Sequence, residues 1–102
     1  MKVNFDKAFS DCFGKEINGG KNGGQNIAET LCTLLFNLST LRGVAVPAEK
    51  KYQAYKLCQR MATNPREVEL TTEDCSLLKE VAAETYSAGA YGQVVDLIEA
   101  NV

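Results

Sequence analysis

The sequence predicts an α+β fold: about four helices packed with a small N-terminal antiparallel β-sheet in a single domain. Three observations carry this. Four stretches, 26–39, 47–62, 72–86 and 90–99, repeat apolar residues at helical spacing. The short run 66–70 alternates apolar and polar residues, as a half-buried strand does, and 2–9 admits the same reading except at Lys7. A chain of 102 residues with 45% apolar content can bury a core of its own without staples.

The stretch 67–86 is the most legible. Val68 and Leu70 alternate with Glu67 and Glu69, and then Thr71 or Thr72 can cap a helix by accepting from its first free N–H groups. Glu73 and Asp74 fall in the first turn, where the helix dipole favours negative charge. Leu77, Leu78, Val81, Ala82 and Tyr86 then form one apolar face.

Residues 2–17 support two readings. Phe5, Ala8, Phe9, Cys12 and Phe13 match a helix, with Gly14 as its stop. Val3, Phe5 and Phe9 match a strand, with a hairpin turn at Phe13-Gly14-Lys15 and a return through Glu16-Ile17, near 15–18. The helix count is the better numerical match, but periodicity alone does not decide between them.

Asn18–Gln25 contains four glycines and no apolar residue, which predicts a flexible connector. Asn26 with Glu29 three residues on is an Asn form of the capping box. Ile27, Leu31, Leu34, Leu35 and Leu38 make the face of that helix. Phe36 and Leu41 widen it, predicting burial on more than one side, and Gly43 ends the segment. Pro47 suits the first turn of the next helix, whose predicted inner face is Tyr55, Cys58, Met61 and Ala62, with Tyr52 and Ala54 beside it. Asn64-Pro65 stops it. Ser87-Ala88-Gly89 reads as a turn before a last helix with Tyr91, Val94, Val95 and Ile98 inward.

The order of these signals, with Phe13-Gly14-Lys15-Glu16-Ile17, Leu-Thr-Thr-Glu-Asp at 70–74 and Tyr-Gly-Gln at 91–93, resembles a loose group of small proteins encoded in tailed-phage and prophage genomes. The resemblance spans most of the chain, and its motifs are short. It implies a β-hairpin at the Gly-Lys region, which favours strand for residues 2–17. It also implies a phage context, in which small non-enzymatic proteins assist assembly or bind host components. It transfers no functional residue.

Composition narrows the chemistry. No apolar run approaches the ~20 residues of a membrane span, and charge interrupts the first residues where a signal peptide is apolar. The expectation is a soluble, cytoplasmic protein with no membrane partner. Histidine is absent, so a Cys or Ser nucleophile lacks its usual base, and no catalytic residues are predicted. The cysteines at 12, 32, 58 and 75 are scattered, with no Cys-x-x-Cys pair, and read as reduced thiols without a metal. Cys75 near a helix start would be reactive if exposed, but its place before Leu77-Leu78 reads as structural. The acid pairs Glu73/Asp74 and Glu80/Glu84 are accounted for by a first turn and a solvated face.

Two features invite a binding function. Gly19 and Gly24 have the five-residue step of a phosphate-binding loop, but Gln25 and Asn26 stand where Lys and Ser/Thr are needed. No cofactor is therefore expected, although the helix start behind the loop can attract an anion. The helix at 47–62 carries Lys50, Lys51, Lys56 and Arg60 with Tyr52 and Tyr55, the ingredients of a nucleic-acid surface. Charge is uneven, +5 over residues 1–66 and −7 over 67–102, on a chain of net −2. The leading expectation is a non-enzymatic interaction or assembly module that binds a protein partner or itself. The alternative is a nucleic-acid or nucleotide binder using helix 47–62 and the loop 18–25.

Overall fold

The computed structural model describes residues 1–15 and 26–100. Its elements run β1 (Lys2–Val3), α1 (Ile27–Phe36), β2 (Thr40–Leu41), β3 (Val44–Ala45), α2 (Ala48–Thr63), β4 (Val68–Glu69), α3 (Thr72–Thr85) and α4 (Ala88–Glu99). The α+β class stands, with four helices and two small antiparallel sheets. β1 pairs with β4, Lys2 opposite Glu69 and Val3 opposite Val68. β2 pairs with β3, Thr40 opposite Ala45 and Leu41 opposite Val44.

The N-terminal segment is extended, not helical. Both predicted strands shrink, from 2–9 to 2–3 and from 66–70 to 68–69, because after Val3 the chain leaves the ladder for other backbone partners. Phe5 N–H donates to the Pro65 carbonyl at 2.8 Å, while the Phe5 and Lys7 carbonyls accept from Ala28 and Ile27 at the start of α1. The segment thereby satisfies helix donors that would otherwise be orphaned. Gly14, with φ +84°, closes a turn in which Asp11 N–H meets the Lys15 carbonyl at 2.8 Å. The predicted return strand near 15–18, past Lys15, and the glycine-rich stretch 18–25 lie outside the described residues.

Helix starts follow local chemistry. Asn26 and Thr71 are both N-caps of complete capping boxes, with Glu29 and Asp74 at the third helical positions. The predicted helix 26–39 ends at Phe36, because the chain turns into the β2–β3 hairpin. Arg42 and Gly43 at its tip have φ of 54° and 75°, the left-handed pair of a two-residue type I′ turn. Gly43 is thus a hairpin residue rather than a helix stop, and Phe36 is exposed rather than buried on a second side. Ser87 is the N-cap of α4 and Ala88 and Gly89 its first residues, so the junction is the two residues Tyr86 and Ser87 and only Ser87 of the predicted turn lies in it.

One core joins these elements. Phe5, Leu31, Leu57, Met61, Leu77, Leu78, Val81, Val94 and Ile98 are nearly or wholly excluded from solvent. Burying each such side chain contributes roughly 1.5–3 kcal/mol before entropy is counted. The inward face of α3 is as expected, with Tyr86 partly buried edge-to-face on Phe9, ring centroids 5.8 Å apart. In α4, Val94 and Ile98 are buried, and Tyr91 and Val95 partly so. Gln93 fixes the N-terminal segment to α4: its Oε1 accepts from Ser10 N–H at 2.7 Å, and its Nε2 donates to the Ser10 carbonyl at 2.9 Å.

Candidate functional site

α2 is the platform for all six candidate binding residues, and its burial phase differs from the predicted one. The buried residues are Ala54, Leu57, Cys58 and Met61. Tyr55 and Ala62 lie outside, and Tyr52 is exposed too. The aromatic rings count as apolar in a periodicity, but the smaller Ala54 and Leu57 occupy the core side of α2, and rotating the helix to bury the rings would expel Leu57. Lys51, Tyr52, Tyr55, Lys56 and Gln59 then share one outer face, an arc of about 140° at 3.6 residues per turn.

The six residues separate into two groups. Lys50 and Arg60 turn inward. Lys50 Nζ lies 3.2 Å from Glu80 Oε1 on α3. Arg60 donates to the Glu69 carbonyl at 2.9 Å and to Asp74 Oδ2 at 3.0 Å. These two cations serve the packing of α2 against β4 and α3. Lys51, Tyr52, Tyr55 and Lys56 face solvent. Tyr52 is 62% and Tyr55 43% exposed, their rings are tilted by 33° with centroids 6.3 Å apart, and Lys56 Nζ sits 5.8 Å from the centre of the Tyr52 ring. That distance is within cation–π range. Gln59 Nε2 donates to the Tyr55 hydroxyl at 3.1 Å.

Asp74 is the centre of the inward group and the one buried charged residue among the described residues. Burial raises its pKa, but hydrogen bonds from Thr71 N–H, from Gln53 and from Arg60, with the charge of Arg60, outweigh that and hold the carboxyl below its ordinary value. Beside it an open groove is lined by Lys56, Gln59, Arg60, Asn64, Glu67 and Glu69. Two carboxylates and two cations share its rim, so it presents no single-sign field to an anion.

The remaining chemistry is structural. Cys75 is buried, and burial pushes its thiol pKa up, opposite to what a nucleophile at a helix start requires. All four cysteines are free, and no group of three or more His, Cys, Asp or Glu is placed to hold a metal among the described residues. Among the same residues, no helix is long and apolar enough to cross a membrane. The sequence does not reveal that Cys32 and Cys58, far apart along the chain, meet where α1 crosses α2.

The fold and site define a small α+β domain that displays an aromatic and basic helix face. Comparison with protein-family models, curated proteins and solved structures finds no match.

Proposed function

We propose that this chain is a non-enzymatic interaction module of the kind phages encode, which binds a protein partner or a further copy of itself through the outer face of α2. The observation that supports the reading is the division of the helix. Lys50 and Arg60 are tied to Glu80 and Asp74, and an adjacent pair of exposed tyrosines with Lys51 and Lys56 is left outside. Tyrosine presents a large rigid area at low entropy cost and is enriched in protein interfaces.

Nucleic acid is the second reading, supported by Lys56 over the Tyr52 ring. Magnitude favours the first. With two free cations the salt slope is about −0.9 per phosphate contact, so affinity for a duplex would fall only about tenfold between 50 and 200 mM salt. Dedicated binders with six to ten contacts lose roughly 10³–10⁵ over that range.

Lys51→Glu/Lys56→Glu tests both. Both side chains are exposed, so the variant folds. Sedimentation of wild-type protein, alone and with protein co-purified from a phage-infected host, should show a species heavier than the 11.1 kDa chain, and the variant should lose it. A salt-sensitive mobility shift with DNA or RNA that the variant abolishes would replace the protein reading with the nucleic-acid one.

A further inference from the structure

We propose that Cys32 and Cys58 are a disulfide-forming pair, an oxidisable staple between α1 and α2. The two residues are 26 positions apart. Each reaches across the helix crossing to the other's backbone: Cys32 Sγ lies 3.7 Å from the Cys58 carbonyl oxygen and Cys58 Sγ lies 3.5 Å from the Cys32 carbonyl oxygen. Such reciprocity brings both sulfurs into the crossing, where the two thiols neighbour each other. One turn before each cysteine, on the same side of its helix, is a small buried residue, Ala28 or Ala54. A disulfide requires Cβ atoms about 3.5–4.5 Å apart, and small residues at a crossing are what permit that approach.

The pair is also ordered for two-step exchange. Cys32 is partly exposed and meets the oxidant, while Cys58 is buried behind it. With oxidised glutathione, a small disulfide, the Cys32 thiolate attacks one glutathione sulfur. That bond breaks, one glutathione thiolate leaves, and a mixed disulfide remains. The Cys58 thiolate then attacks the Cys32 sulfur and expels the second glutathione thiolate. Two protein thiols thus lose two electrons and two protons, and one glutathione disulfide becomes two glutathione thiols. Burial, with the neighbouring Cys58 sulfur, pushes the Cys32 pKa up, which lowers its thiolate fraction and slows the first step.

The experiment uses the full chain with the exposed Cys12 changed to Ser, leaving three thiols. After hours in oxidised glutathione, one free thiol, a mass lower by two hydrogens and a linked peptide pair containing Cys32 and Cys58 are expected. The melting temperature should rise on the order of 10 °C and fall back with dithiothreitol. In Cys12→Ser/Cys58→Ala the same treatment should leave glutathione on Cys32. Three free thiols in the first variant, or glutathione retained there on Cys32 without the linked peptides, overturns the proposal.

Discussion

Replacing Asp74 by Ala is the severest test of how α2, β4 and α3 are held together. The carboxylate is 3% exposed and accepts from Thr71 N–H at 3.0 Å, Gln53 Nε2 at 3.2 Å and Arg60 Nη2 at 3.0 Å. A hydrogen bond to a charged group contributes about 1.5–3 kcal/mol, so three taken at face value exceed 4 kcal/mol. That sum overshoots, because Thr71 is exposed, Gln53 partly so and the Arg60 side chain is 40% exposed, and water can replace each lost partner. The capping-box half of the loss is about 1 kcal/mol. Removing one partner of a fully buried pair costs about 3–5 kcal/mol, which sets the ceiling. The expected loss is about 2–4 kcal/mol, read from urea unfolding followed by circular dichroism at unchanged m-value.

The same residue predicts an acid limb. The folded-state pKa of Asp74 is lowered, so its contribution is fully present above its ordinary value of 3.8 and is lost as pH falls through the folded value. Asp74→Asn should flatten stability against pH in that window and leave it unchanged in shape above. A loss below 1 kcal/mol for the Ala variant would reduce Asp74 to an ordinary first-turn acid, worth about 0.3–1 kcal/mol, and refute the reasoning.

The phase of α2 is checked by Leu57→Ala and Leu78→Ala, each expected to lose about 2–5 kcal/mol, against Tyr55→Ala at under about 0.5 kcal/mol in the same urea assay. In the hairpin, Gly43→Ala places a Cβ at φ +75° and should cost about 1–2 kcal/mol, whereas Arg42→Asn supplies the residue a type I′ turn prefers and should raise the melting temperature.

What was legible in the sequence was what local chemistry decides. Asn26 with Glu29 and Thr71 with Asp74 announce helix starts, because the cap and its partner lie three residues apart and need no other part of the chain. Alternation at Val68 and Leu70 marks a strand but cannot name its partner, since β1 lies 65 residues earlier in sequence and that pairing is settled by the core around Phe5. The β2–β3 hairpin is hidden in the sequence because Arg42 stands where Asn or Asp would signal a tight turn, so the Leu-rich run reads as one longer helix. Periodicity misplaces the outer face of α2 for a related reason. Tyr55 fits the helical repeat as well as Leu57 does, and only the tertiary core decides which goes inside. The six candidate residues cluster in the sequence, but their separation into packing cations and a solvent face depends on Glu80 and Asp74, which belong to another helix.

That separation bears on how the face could bind. Single exposed apolar residues are ordinary on a protein surface and need no explanation. Tyr52 and Tyr55 differ in that each is held from a second side, Tyr52 by the Lys56 ammonium and Tyr55 by the Gln59 amide. Immobilising a rotamer-rich side chain at an interface costs about 0.5–1.5 kcal/mol, and a side chain already restrained in the free protein forfeits less of it. The support beneath is equally fixed, because Lys50 and Arg60 lock the opposite side of the same helix to α3 and β4. On the proposed reading, the inward cations would serve binding without touching a partner, because they tie α2 to α3 and β4 on the side away from the tyrosines. Weakening the Asp74 contacts should loosen the outer face as well as the core, whereas changing Lys51 or Lys56 should alter binding and leave the fold as it is.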